Sequence, residues 1–241
     1  MPRVRPSPSA SAVETNTASR ADFAFVRTRR HSTSIGSMLG LAAATDADWV
    51  DAALADVPRL LSDHAHCELK AASNALSLAV RYADRPALVQ ALAALAEEET
   101  AHFRRVHALL IERGGALGAP PVDPYAAELR KAAEVGRGPS ALVDRLLVAA
   151  LIEARSCERF RLLSERAADP ELAAMWRDLL ASEAGHYRLF VDLAVAEGVR
   201  DGVSADEVRA RLSVLVAREA AIVARLPSRS PGGQMRAAVH G

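Results

Sequence analysis

The chain has 241 residues with 30 basic and 30 acidic side chains, a formal net charge of zero, so overall charge gives no argument for nucleic acid or membrane as a partner. Only two cysteines occur, at positions 67 and 157, and without a Cys-x-x-Cys pair a rubredoxin-type or zinc site is excluded; reduced cytosolic thiols are the simplest reading. Alanine and leucine dominate, aromatics make up 4 %, and no segment alternates with period two, so the expected fold class is all-α.

Residues 1–37 are rich in Ser, Ala, Thr, Arg and Pro with no apolar period, and are expected to form a disordered extension. Arg29-Arg30 before the apolar stretch 35–44 faintly suggests a twin-arginine export signal. That stretch is short and broken by Gly36 and Gly40, so a cytoplasmic location is the reading kept. Thr45 reads as the N-cap of a short helix carrying Trp49, Val50 and Leu54. Four long helices are expected over 58–83, 86–113, 140–167 and 170–197. Pro86 and Pro170 take first helical positions, and Gly114 and Gly198 act as stops. Between the two helix pairs, a loop at 114–124, a short helix at 125–134 and a turn at 136–139 make a crossover long enough to travel the length of a bundle. Ser204 with Glu207 reads as the capping box of a last helix ending near 226, and 227–241 as a disordered tail. A single domain over 38–226 follows. No apolar run is long enough to span a bilayer.

The chemistry lies on those helices. Glu99-Thr-Ala-His102 recurs as Glu183-Ala-Gly-His186, and Glu-x-x-His puts two metal-binding side chains on neighbouring positions of one helical face. Both copies sit on apolar stripes: Leu88, Leu92, Leu95, Glu99, His102, Val106, Leu109 in one helix, and Leu172, Met175, Leu179, Glu183, His186, Phe190, Leu193 in the other. A buried carboxylate without a partner is too costly to keep ionised, and metal coordination compensates for its lost solvation. A solvated surface pair would explain one copy, but not two on core stripes.

Each copy has a glutamate partner. Glu68 lies sixteen residues before the Asp84-Arg85-Pro86 corner and Glu99 fifteen after Asp84, so two antiparallel helices bring them level. Around Ala168-Asp169-Pro170, Glu153 lies sixteen before Asp169 and Glu183 fourteen after it. Glu158 competes with Glu153, because Cys157-Glu158 echoes Cys67-Glu68; the two glutamates point about 140° apart on a helix, so one site does not take both. The corner arithmetic selects Glu153 and leaves Glu158 outside the ligand set or on the surface, near Arg155 and Arg159. A duplicated Glu-x-x-His with two further glutamates is the ligand set of a ferritin-like four-helix bundle. Carboxylate-rich sites with two histidines suit iron or manganese, and four carboxylates balance the charge of two divalent ions. His64, one turn before Glu68, is either a core histidine or a group orienting a ligand carboxylate; His66 and His107 lie off the stripes. Ala71, Ala72, Ala75, Ala149 and Ala150 either leave room for a prenyl-sized side chain or mark tight helix contacts.

The stretches Leu60 to Ser73, Arg81 to Pro86 and Ile152 to Phe160 resemble the bacterial tRNA 2-methylthio-N6-isopentenyladenosine hydroxylase family, over roughly residues 39 to 198. The resemblance implies an oxygen-dependent non-haem di-iron monooxygenase acting on the isopentenyl side chain at position 37 of tRNA. Its metal positions match Glu68, Glu99, His102, Glu153, Glu183 and His186. A tRNA substrate calls for basic residues near the site; Arg81, Arg85, Arg104, Arg105, Arg113, Arg130, Lys131, Arg137 and Arg145 are the candidates. No flavin, nicotinamide or iron–sulfur fingerprint occurs, so a separate ferredoxin or reductase is expected as electron donor. A monomer or dimer is expected. The rival readings are a ferritin-like iron-binding or storage protein and a manganese catalase or peroxidase.

Overall fold

The computed structural model describes residues 39–120, 124–133 and 140–226. The expected disorder of 1–37 and 227–241, the turn at 136–139 and Arg137 lie outside the described residues.

The described residues are all-helical: α1 (Ala47–Leu54), α2 (Val57–Arg81), α3 (Pro86–Glu112), α4 (Pro124–Ala132), α5 (Ala141–Arg166), α6 (Pro170–Arg200) and α7 (Ala205–Val223). α2 packs along α3 and α5 along α6, the four bars of the bundle, while α4 and α7 lie together against α5. Local chemistry sets most boundaries. Ser140 caps α5 by accepting from Val143 N, and Asp169 caps α6 through Glu171 N and Leu172 N. Pro86 and Pro170 occupy first-turn positions where no amide hydrogen bond is lost. The Ser204–Glu207 capping box opens α7 as expected.

Two boundaries differ from the sequence reading. Asp46, not Thr45, caps α1; Thr45 is turned inward and donates its amide (2.8 Å) and hydroxyl (2.6 Å) to Glu158. Gly198 does not stop α6. It is a buried helical residue that lets α7 approach: a Cβ there would lie 2.7 Å from Val208 Cγ2. The helix ends at Gly202 (φ +84°), where Gly202 N bonds Val199 O and Val203 N bonds Gly198 O, a Schellman closure. Gly114 (φ +73°) ends α3 in the expected left-handed conformation.

The core is two apolar clusters with a polar layer between them. Ala72, Leu95, Ala154 and Phe190 belong to one cluster, and Ala65, Val106, Phe160 and Leu179 to the other. On three bars of the bundle the change from one cluster to the other falls around a motif glutamate, Glu68, Glu99 or Glu183, and on α5 it falls between Ala154 and Phe160, just after Glu153. No helix among the described residues is long and apolar enough to cross a membrane.

Candidate metal centre

Four carboxylates are brought into that layer with almost no exposure: Glu68, Glu99 and Glu183 at 0 % and Glu153 at 3 %. With His102 and His186 they form two quartets, Glu68–Glu99–His102–Glu183 and Glu99–Glu153–Glu183–His186. Within each, the donor atoms lie inside 4.8 Å of one another. Glu99 and Glu183 belong to both, so they stand between two adjacent positions. All six residues singled out from the sequence are thus assembled. Glu158 is not among them. It is buried on another face of α5, accepting from Thr45 and from Arg155, which also donates to Glu219 (2.7 Å). It is therefore no surface residue.

The donor atoms inside the layer are crowded and incompletely hydrogen-bonded. His186 Nδ1 lies 3.0 Å from both Glu183 Oε2 and Glu99 Oε1, and His102 Nδ1 lies 3.5 Å from Glu99 and Glu183 and 3.7 Å from Glu68. Even so, neither Glu99 oxygen accepts a well-formed hydrogen bond, nor does Glu153 Oε2. Burial, and then Glu183, push the Glu99 carboxyl up to about 7. Burial, Glu183 and Glu99 hold Glu153 well above the carboxylate range. For the histidines burial acts downward but is outweighed. Glu183, Glu68 and Glu99 push His102 up to about 12, and Glu183 with Glu99 do the same for His186. Buried acceptors lacking donors, crowded around imidazoles, are a poor way to build a core and a suitable cradle for cations. The oxygen-rich, two-nitrogen donor set fits hard divalent ions of the iron or manganese kind.

Outer contacts fix two of the six. His64 Nε2 is 2.7 Å from Glu68 Oε1, which favours the orienting role for this histidine. His186 Nε2 is 3.0 Å from Glu98 Oε2, a contact the sequence reading missed. Its only sequence signal is that Glu98 precedes Glu99, whereas Ser182 precedes Glu183.

A cavity of about 60 Å³ reaches Glu153 between α2, α4 and α5, with Cys67, Ala71, Ala149 and Ile152 in its walls and Arg130 and Lys70 at its rim. Hollows of about 130 Å³ and 680 Å³ adjoin it, sharing Asn74 and Arg130. The small residues therefore divide: Ala71 and Ala149 line this space, Ala149 at the edge of the core cluster, while Ala72, Ala75 and Ala150 are packed in the core alone. The arginines divide as well. Arg85, Arg105 and Arg113 are held in ion pairs with carboxylates of α6 and its two caps, Asp169 and Asp201. Among the described residues Arg130 and Arg145 have no carboxylate partner, and both line the hollows leading to Glu153.

The family model for tRNA-(MS[2]IO[6]A)-hydroxylase (MiaE) matches residues 36–231. The chain belongs to that family. The match runs beyond the 39–198 span of the sequence resemblance and takes in α7. The tRNA 2-(methylsulfanyl)-N(6)-isopentenyladenosine(37) hydroxylase of Pseudomonas putida, a family relative, is 44 % identical over 146 residues, covering 61 % of this chain and 70 % of that protein. Its namesake from Salmonella typhimurium is 29 % identical over an alignment of 204 positions, with 65 % of this chain and 73 % of that protein covered. The fold is also similar to the solved structure of a Synechococcus protein with aldehyde deformylating oxygenase activity. The TM-score is 0.73 at 39 % identity, over 83 % of this chain and 94 % of that one.

Proposed function

We propose that this chain hydroxylates the isopentenyl side chain of 2-methylthio-N6-isopentenyladenosine at position 37 of tRNA, at a di-iron centre held by Glu68, Glu99, His102, Glu153, Glu183 and His186. The observation that carries the reading is the pair of buried quartets sharing Glu99 and Glu183, in a chain whose family and curated relatives are tRNA hydroxylases. The iron pair, when bound, supplies the oxidising chemistry with molecular oxygen as co-substrate. In balance, one C–H bond, one O2, two electrons and two protons give the alcohol and one water.

The protein's part is to position and to exclude water. The apolar walls around Glu153 (Ala71, Ala149, Ile152) accept the prenyl group, while Arg130, Arg145 and Lys70 face the charged part of the substrate. Glu98 and His64 hold one histidine and one carboxylate in place from outside the quartets. Electrons come from a separate ferredoxin or reductase, since the sequence carries no redox-cofactor fingerprint. Turnover by the purified protein with oxygen and a nicotinamide cofactor alone would refute that.

The test is mass spectrometry of tRNA nucleosides from a deletion strain. Loss of the hydroxylated isopentenyl nucleoside, its precursor accumulating, is expected, and restoration requires the intact chain. An unchanged nucleoside profile would sink the proposal. The likeness to the Synechococcus oxygenase favours one second reading, an oxygenase of free aldehydes. Consumption of an aldehyde with release of a one-carbon product would support it, although a basic rim has no use for such a substrate.

A further inference from the structure

The two halves of the repeat depart from each other where it matters for access. Counting back one turn from the partner glutamates, His64 before Glu68 corresponds to Ala149 before Glu153. In the first half the imidazole fills the space beside its glutamate and sits 2.7 Å from it. In the second half the methyl group of Ala149 leaves that space open, and the cavity there runs to Glu153. Glu153 Oε2 is buried and accepts no hydrogen bond. The histidines are unequal in the opposite sense. His186 is 5 % exposed and braced at Nε2 by Glu98, whereas His102 is 15 % exposed and has no such contact among the described residues.

We infer that the two metal positions are unequal: the one held by Glu68 and His102 is closed, and the one held by Glu153 and His186 is open to the α2–α4–α5 cavity and is where an incoming small molecule or the apolar end of a substrate is met. This rests on the ligand assignment proposed above. At the closed position the glutamate is held by His64, and it lines none of the three hollows that share Asn74 and Arg130. At the open position the histidine is pinned by Glu98, and the cavity meets Glu153, whose carboxyl group also contacts Glu183. Ala149 thereby becomes a residue that decides what reaches the centre.

The test is azide binding to the iron-loaded, full-length protein, followed by the charge-transfer absorption of the azide complex, with iron per chain measured alongside. Ala149→Leu fills the cavity beside Glu153, and Ala71→Leu narrows it from the facing helix. Both variants should keep two irons per chain, and each should weaken azide by about tenfold or more. Unchanged azide affinity in both, with the iron retained, overturns the inference. Loss of iron from both also overturns it, because the cavity would then be part of what holds the metal. The functional reading fails separately: if the parent protein takes up azide and both variants behave as expected, yet no tRNA is hydroxylated, the unequal positions stand and the substrate does not.

Discussion

The carboxylate of Glu98 lies 3.0 Å from His186 Nε2, on the opposite ring nitrogen from the one that faces Glu99 and Glu183. One residue of α3 thus supplies a group inside the quartets, and its immediate neighbour braces a histidine of α6 from outside. Such a contact fixes the ring orientation and leaves Nδ1 directed at Glu99 and Glu183. Glu98→Ala should lower metal affinity by about 10- to 100-fold, measured by competition with a chelator. Glu98→Gln keeps an acceptor for Nε2–H and should lose less. Equal affinity of Glu98→Ala and the parent would show the contact to be incidental.

Metal uptake should release protons. In the metal-free protein His102 and His186 hold protons up to about pH 12 and Glu99 up to about pH 7, and these must leave before the atoms can coordinate. The stability of the metal-free protein follows the same shifts. Glu99 binds its proton more tightly folded than unfolded, so its contribution falls as pH rises from about 4.5 through about 7. The histidines contribute fully below about 6.5 and lose that contribution as pH rises toward about 12. Both signs agree: the metal-free protein should melt at lower temperature with rising pH from 5 to 9, and the gap to the metal-loaded form should widen. A melting temperature of the metal-free form that rose over that range would contradict the assignment.

Glu153 and Glu158 should fail in different ways. Glu153→Ala removes a member of one quartet and should reduce metal content with little loss of metal-free stability. Glu158→Ala leaves Arg155, fully buried, short of one carboxylate. Breaking such a pair typically costs about 3–5 kcal/mol, so this variant should keep its metal sites but unfold at lower denaturant. Metal analysis and urea titration of the two proteins separate the outcomes; exchanged phenotypes would overturn the assignment.

Gly198→Ala should destabilise the fold although alanine is the better helix former. A Cβ at 198 would stand 2.7 Å from Val208 Cγ2, and overpacking of this kind costs about 1–3 kcal/mol. The double variant with Val208→Ala should recover part of the loss. A single variant as stable as the parent would mean that α7 shifts freely.

The sequence by itself determined the helices and the six side chains of the quartets, because helical periodicity and capping are local and the repeat places a glutamate at a fixed distance on each side of a proline corner. It did not determine what depends on approach between distant segments. Gly198 looks like a stop until α7 is seen lying against it, and Thr45 looks like a cap until it is seen bonded to Glu158, 113 positions away. Glu98 meets His186 across 88 positions. Which alanines bound a cavity and which arginines lack a carboxylate are likewise properties of the assembled packing. Only tertiary structure decides them, since residues of the same type with the same periodicity are told apart by what another helix places opposite them.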